Sequence, residues 1–416
     1  MNSSQSIAPH PVVKLGVEVL LEHRRDLLRG KRVGLITNPT GVDGRLGSIV
    51  DLFTRQTDFQ LVALYGPEHG VRGNAQAGEF VPFYQDEHYH LPVFSLYGQT
   101  HQPPPDMLTN IDAYMRSFDT QHTGKQVEPG MLRAVEVMVF DLQDVGTRVY
   151  TYVATMAYAM QAAAEAGIPF IVLDRPNPIS GVHLEGPILE YPAFSSFIGL
   201  YPVPLRHGMT AGELAQLFNA CYFKKPANLT VVPMENWRRN KFYDETGLPW
   251  VQPSPNLPTL DSAIVYPGQV ILEGTNLSEG RGTTKPFELF GAPWIDGFLM
   301  ARELNAKKLP GVIFREAYFT PSFSTFSGQL CGGCLLHITD RQPFAAIATT
   351  LTILEVIRKL YGTKLELHDD YFDKVLGTAD VRVALEKGLP CSQIVQGFQA
   401  ELVRFERLRQ SYLLYH

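Results

Sequence analysis

The sequence predicts an α/β protein: a parallel sheet covered by helices on both faces, followed by a second domain of mixed strands and helices. Three observations lead there. Short, continuously apolar runs recur along the first half of the chain; helix-length stretches separate several of them; and each run ends in a loop rich in Gly, Pro, Asn, Asp or Arg. Strands buried on both faces read as unbroken apolar runs, and helices between them make the crossovers a parallel sheet requires.

Taken in order, apolar residues from Val17 to Leu28 recur near helical spacing, and "KRVGLITNP" then begins the first strand, ending at Asn38-Pro39-Thr40-Gly41. Further strands are expected in "FQLVALYGPEHG", "LPVFSLYG", "VEVMVFDLQDVG", "IPFIVLDRPNPISG" and "NLTVVPMENW". The clearest helix is "TYVATMAYAMQAAAEAG", whose Ala, Met and Gln content favours helix. A Trp- and Pro-rich passage opening at Glu235 reads as the crossing to a second domain, dividing the chain into 24–234 and 235–416.

Composition narrows the functions available. With 416 residues the chain is long enough for two domains, and 45% apolar with 19% charged residues is ordinary for a folded globular protein. Lys plus Arg total 36 against 42 Asp plus Glu, a formal charge of -6, so no basic nucleic-acid footprint exists and any anionic ligand must be held by local arginines. The most apolar long segment, Tyr152 to Leu173, is interrupted by Gln161, Glu165, Gly167 and Pro169, which argues against a membrane span. The N-terminus lacks a signal-peptide pattern, so the expectation is a cytoplasmic protein, or an exported one whose signal is absent from this chain. Four cysteines include one "CGGC" at 331–334; without further close ligands the expectation is buried thiols and no metal.

Chemistry is expected in the loops. In open α/β sheets ligands bind beyond the carboxyl ends of the strands, where the strand order reverses. The loops at 66–73, 141–148 and 174–186 should therefore converge on one rim. They bring Glu68, His69 and Arg72, then Asp141, Asp144 and Arg148, then Asp174 and Arg175. Strand-end aspartates also serve as helix caps, which is the plain alternative for Asp144 and Asp174. The second domain offers Glu273, Glu279 and Arg281 in "LEGTNLSEGRGTT", whose glycines let backbone approach a ligand. Dinucleotide and P-loop fingerprints, H-E-x-x-H and a G-x-S-x-G elbow are all absent, and no organic cofactor is expected.

The strings "TNPTGV", "LYGPEHGVRG", "FDLQDVGTRVYTY", "LDRPNPISG", "LEGPILE", "RHGMTAGELA", "PSPNLP" and "EGTNLSEGRGTTKPFE" followed by "GAPWID" resemble, in that order, the NamZ-type exo-β-N-acetylmuramidase family. The likeness runs from about Lys31 to the C-terminal "RLRQSYLLY"; a stretch at 117–131 departs from it and reads as an insertion. The resemblance implies a Rossmann-like, doubly wound, mainly parallel sheet, a smaller α+β domain, and an active cleft between them. It also implies release of non-reducing-end N-acetylmuramic acid from peptidoglycan fragments, with Glu68 as the catalytic carboxylate and His69 beside it. Glycosidic cleavage usually needs a second carboxyl group, for which Asp141, Asp144, Glu273 and Glu279 are candidates, unless the acetamido oxygen of the substrate serves. Candidate binding groups are Asn38, Arg72, Arg148, Asp174, Arg175, Glu273, Asn276, Glu279 and Arg281; the lactyl carboxylate of a muramic-acid-terminated saccharide calls for a planar bidentate cation, and so for one of the arginines. The competing expectation is an amino-sugar or peptidoglycan-binding protein without turnover.

Overall fold

The computed structural model describes residues 12–97, 105–109 and 135–416, so the insertion expected at 117–131 lies outside the described residues. The first half forms a seven-stranded sheet from β1 (Arg32–Thr37), β2 (Gln60–Gly66), β3 (Tyr84–Gln85), β4 (Pro92–Ser95), β5 (Val137–Asp141), β6 (Phe170–Leu173) and β9 (Leu229–Val232), in the order β3-β4-β2-β1-β5-β6-β9. All neighbours pair in parallel except the two-residue edge strand β3. The α/β class and the six apolar-run strands therefore stand as expected. What the apolar runs did not announce is β3 and the small pair β7 (Glu185–Ile188) with β8 (Pro204–Arg206), which are too short or too polar to read as strands.

Alternating side chains divide the sheet between two layers. Val33, Leu35, Val137, Val139, Ile171 and Leu173 pack with Val17 and Leu20 of helix Gly16–His23 and Phe53 of helix Ile49–Thr54. Ile36, Met138, Phe140, Phe170 and Val172 face the other way, onto helix Tyr152–Ala166. That helix stops because Gly167 adopts φ 71° and its N–H bonds back to Ala163 and Ala164. Thr210 caps helix Ala211–Cys221 and Glu213 completes the capping box, as "TAGE" would suggest.

Along the chain the sheet grows outward from β1 through β2 to β4, then restarts at β5 on the other side of β1. The order thus reverses between β1 and β5, and the crevice it leaves opens at their carboxyl ends. The second half carries a three-stranded antiparallel sheet, β10 (Leu289–Ala292), β12 (Cys331–Ile338) and β11 (Val312–Phe319), with helix Leu260–Gln269 packed on helix Ala346–Tyr361. One continuous core runs through both halves, uniting Phe140 and Met156 with Ile264, Phe290 and Phe372. "CGGC" is the start of β12, where burial pushes the Cys331 thiol up to about 11 and Cys334 up to about 12. Cys391 is also buried, whereas Cys221 corrects the expectation of buried thiols: it sits at the exposed end of its helix. Among the described residues no helix is long and apolar enough to cross a membrane.

Candidate active site

The loop after β2 makes a sharp return. Gly70 N–H donates to the Pro67 carbonyl at 2.9 Å, and His69, at the third position of this turn, takes φ 72°. A left-handed backbone on a residue other than glycine is strained, and such strain gathers at functional sites. Gly66 permits the return, since a Cβ there would lie 2.8 Å from the Val71 nitrogen. The result aims Glu68 at the crevice. Its Oε2 accepts from Thr151 Oγ1 at 2.7 Å and its Oε1 from the Gly78 N–H at 3.0 Å. Thr151 is the residue immediately before helix Tyr152–Ala166, so the acid is fixed between the loops that follow β2 and β5.

His69 Nδ1 lies 2.8 Å from the Ala75 carbonyl, which can only accept, so Nδ1 carries a proton. Burial pulls the imidazole below its usual range, the neighbouring Glu68 charge opposing that pull. In its neutral form Nε2 is then an acceptor.

The opposing wall comes from the second half. Helix Leu260–Gln269 runs into a 3-10 turn, Val270–Gly274, that presents Glu273. Gly274 allows helix Asp369–Leu376 to lie against this turn, because a Cβ would come within 2.6 Å of the Phe372 Cα. That approach lets Tyr371 donate to Glu273 Oε2 at 2.9 Å. Arg281 donates through Nη1 to Glu273 Oε1 at 2.5 Å and to Glu279 Oε1 at 3.1 Å, with its guanidinium 4.8 Å from the Phe287 ring centre. Its Nε is buried without a hydrogen-bond partner among the described residues. Burial raises Glu279, with the Arg281 charge opposing.

Glu68, His69, Glu273 and Arg281 thus line one cavity of about 410 Å³, together with Tyr97, Tyr150, Thr151, Ser254, Asn256, Tyr266, Phe197 and Tyr371. The remaining candidates are placed elsewhere. Asp141 receives both Nε (2.5 Å) and Nη2 (2.8 Å) of Arg175 in a fully buried pair at the end of β5. Asp144 accepts from the Gly146 N–H at 2.7 Å and lies 3.5 Å from His207, shaping its own loop. Arg148 donates to the carbonyls of Pro187, Val203 and Val375, with no carboxylate partner among the described residues, and burial pulls its guanidinium down. Asp174 is buried under Thr210, Gly212 and Tyr415, and burial pushes its carboxyl up to about 6. Asn38 braces Tyr152 and Pro253 behind the cavity. The exposed Arg72 pairs with the buried Asp86, Asn276 ties down the backbone of Lys364 and Glu366, and Glu279 stands behind Arg281. None of these nine lines the cavity. What sets them apart is position, since Glu273 and Arg281 are also paired with each other yet line the cavity.

The residues not singled out from sequence are mostly neutral: Tyr150 and Thr151 lie inside "RVYTY" and Asn256 inside "PSPNLP", so their motifs pointed to them, whereas Tyr97, Tyr266 and Tyr371 carried no signal of their own.

Known proteins are similar to this chain over nearly its full length. The family profile described as exo-β-N-acetylmuramidase NamZ, N-terminal, matches residues 33–127 and 117–261, and the corresponding C-terminal profile matches 264–415. A peptidoglycan β-N-acetylmuramidase NamZ from Bacillus subtilis (strain 168) is 49% identical over 415 residues, covering 100% of this chain and 94% of the relative. Two crystallised DUF1343 family proteins from Bacteroides fragilis NCTC 9343 are similar in structure. One has a TM-score of 0.85 at 37% identity, covering 97% of this chain and 99% of the other; the second has 0.75 at 28%, covering 98% and 99%. With both profiles together spanning nearly its full length, the chain belongs to the NamZ family of exo-β-N-acetylmuramidases.

Proposed function

We propose that this protein is an exo-acting glycoside hydrolase that releases N-acetylmuramic acid from the non-reducing end of peptidoglycan fragments, with Glu68 as general acid and Glu273 as the second carboxylate. Family membership and the full-length relative from Bacillus subtilis support the reaction. The observation that carries the assignment of roles is the meeting of Glu68, from the first half, with Glu273 and Arg281, from the second, in one cavity.

Cleavage passes through an oxocarbenium-like state, in which positive charge spreads over the ring oxygen and anomeric carbon. Glu68, held by Thr151 and Gly78, delivers its proton to the departing glycosidic oxygen. Glu273, held by Arg281 and Tyr371, supplies the compensating negative charge from a preorganised position. His69 Nε2 accepts a sugar hydroxyl, and the Arg281 guanidinium on the cavity wall is the cation for the lactyl carboxylate. In this reading residues 24–234 carry the acid, and residues 235–416 close the cleft.

The test is release of N-acetylmuramic acid from an N-acetylmuramyl-β-1,4-N-acetylglucosamine disaccharide by wild type and by Glu68→Gln. Turnover that disappears in the variant supports the reading. A wild-type protein that binds the disaccharide and leaves it intact would instead be a saccharide-binding protein.

A further inference from the structure

Each of the two cavity carboxylates is held by a neighbour from its own half: Thr151 bonds to Glu68, and Tyr371 to Glu273. One buried guanidinium connects these two anchors. Arg148 lies three residues before Thr151, within the tight turn in which the Tyr150 N–H donates to the Thr147 carbonyl at 3.0 Å. Its Nη2 donates at 3.0 Å to the Val375 carbonyl, and Val375 is one helical turn beyond Tyr371 on helix Asp369–Leu376. Its Nη1 donates to the carbonyls of Pro187 at 2.9 Å and Val203 at 2.8 Å, so the other arm of the fork is fastened to the first half. Val149, next to Arg148, and Val375 both line the cavity, although Arg148 itself does not.

Burying an arginine without a carboxylate is expensive, and a neutral donor could satisfy a carbonyl equally well. A guanidinium adds two things: a rigid plane whose amino groups point in fixed directions, and a positive charge at a helix C-terminus, where the carbonyl dipoles favour it. The helix end sits close against that plane. A Cβ on Gly377, which has φ 76°, would lie 2.8 Å from Arg148 Nη2.

We infer that Arg148 is a positioning residue for the reaction: by tying the turn that leads to Thr151 to the helix that carries Tyr371, it sets the spacing of Glu68 and Glu273. This rests on the muramidase reading given above. Two carboxyl groups act on one glycosidic bond only at a defined separation, and a misplacement of about 1 Å caused from outside the reacting groups can cost about a hundredfold in rate. Arg148 reaches the reaction only through its two anchors, so its loss should slow the chemical step and leave the sugar-binding groups Arg281 and His69 in place.

The test is Arg148→Lys, which keeps the charge and removes the planar fork. The variant should fold, because the Glu190 N–H also bonds the Gly377 carbonyl at 2.8 Å and holds the helix end in its seat. Below its melting temperature, kcat on the disaccharide should fall by about ten- to a hundredfold, while the Kd of free N-acetylmuramic acid changes by less than about threefold. Combined with Thr151→Val, the loss should be smaller than the product of the two single losses, because both substitutions act on the placement of Glu68. A lowered melting temperature with wild-type kcat in the folded protein would overturn the inference and leave Arg148 a stability residue. Losses that multiply in the double variant would overturn it as well. Should Arg148→Lys fail to fold, Gly377→Ala presses on the same joint from the helix side: a lowered kcat with product binding retained supports the inference, and an unchanged kcat overturns it. A wild-type protein that does not cleave the disaccharide would overturn the muramidase reading and this inference with it, a result distinct from the others, which all require an active wild type.

Discussion

Thr151 Oγ1 donates a 2.7 Å hydrogen bond to Glu68 Oε2 across 83 residues of sequence. It joins the loop after β2 to the start of the helix after β5, on the two sides of the point where strand order reverses. The orientation of the acid therefore depends on the relative placement of two crossover connections, and the first two expectations concern this pair.

Glu68→Gln keeps the shape of the side chain and removes its proton, so turnover of the disaccharide should fall by ~10² to 10⁴, the usual contribution of a general acid. The fold should be retained, as read by circular dichroism. Activity within a fewfold of wild type would remove Glu68 from this role.

Thr151→Val removes only the orienting hydroxyl. A hydrogen bond to a charged group contributes about 1.5 to 3 kcal/mol, so kcat should drop by roughly ten- to a hundredfold. Thr151→Ser should restore most of it. A serine variant as impaired as the valine variant would show that the methyl group, and hence packing, is what matters.

Arg281→Lys retains a cation beside Glu273 and Glu279 but loses the planar fork. Preference for muramic acid over N-acetylglucosamine at the non-reducing end should narrow, measured as the ratio of kcat/KM values. Truncating a buried charge-assisted contact costs about 2 to 5 kcal/mol, an upper bound for the lost discrimination. An unchanged ratio would place lactyl recognition elsewhere.

Asp141→Asn should be a stability variant. It leaves Arg175 charged and buried without its carboxylate, a loss of about 3 to 5 kcal/mol. Urea unfolding should report that loss, while KM of the folded enzyme stays close to wild type. A normal midpoint combined with lost turnover would return Asp141 to the list of catalytic groups.

Asp174 gives a pH dependence of definite sign. Burial raises its folded pKa to about 6, partly offset by Tyr415, Thr210 and Gly212, against ~3.9 in an unfolded chain. The folded state binds the proton more tightly, so this group's contribution is fully present below about pH 4 and is lost as pH rises towards about 6. The change amounts to about 3 kcal/mol at most. Unfolding free energies measured from about pH 4 to pH 7 should therefore fall less steeply for Asp174→Asn than for wild type. Parallel curves would mean that the folded carboxyl is not raised.

Much of this protein was determined by its sequence alone. Buried parallel strands require apolar runs, so β1, β2, β4, β5, β6 and β9 were legible, and their carboxyl ends announced the rim that bears Glu68. The G-P-E-H-G loop was legible as a turn from its glycines and proline, but the left-handed backbone of His69 was not. What only the tertiary structure decided is which charged loop residues face the cavity. Asp141, Arg175 and Arg148 look like Glu68, Glu273 and Arg281 in the sequence, yet the first three are consumed by a buried ion pair and by backbone carbonyls. Tyr97 and Tyr371 became part of the site through contacts of long sequence range, with no local pattern to mark them. The physical reason is the range of the forces involved: periodicity and turn chemistry act over a few residues, whereas the partner that neutralises a charge is chosen by how separate loops pack together, as when Arg175 meets Asp141 across 34 residues.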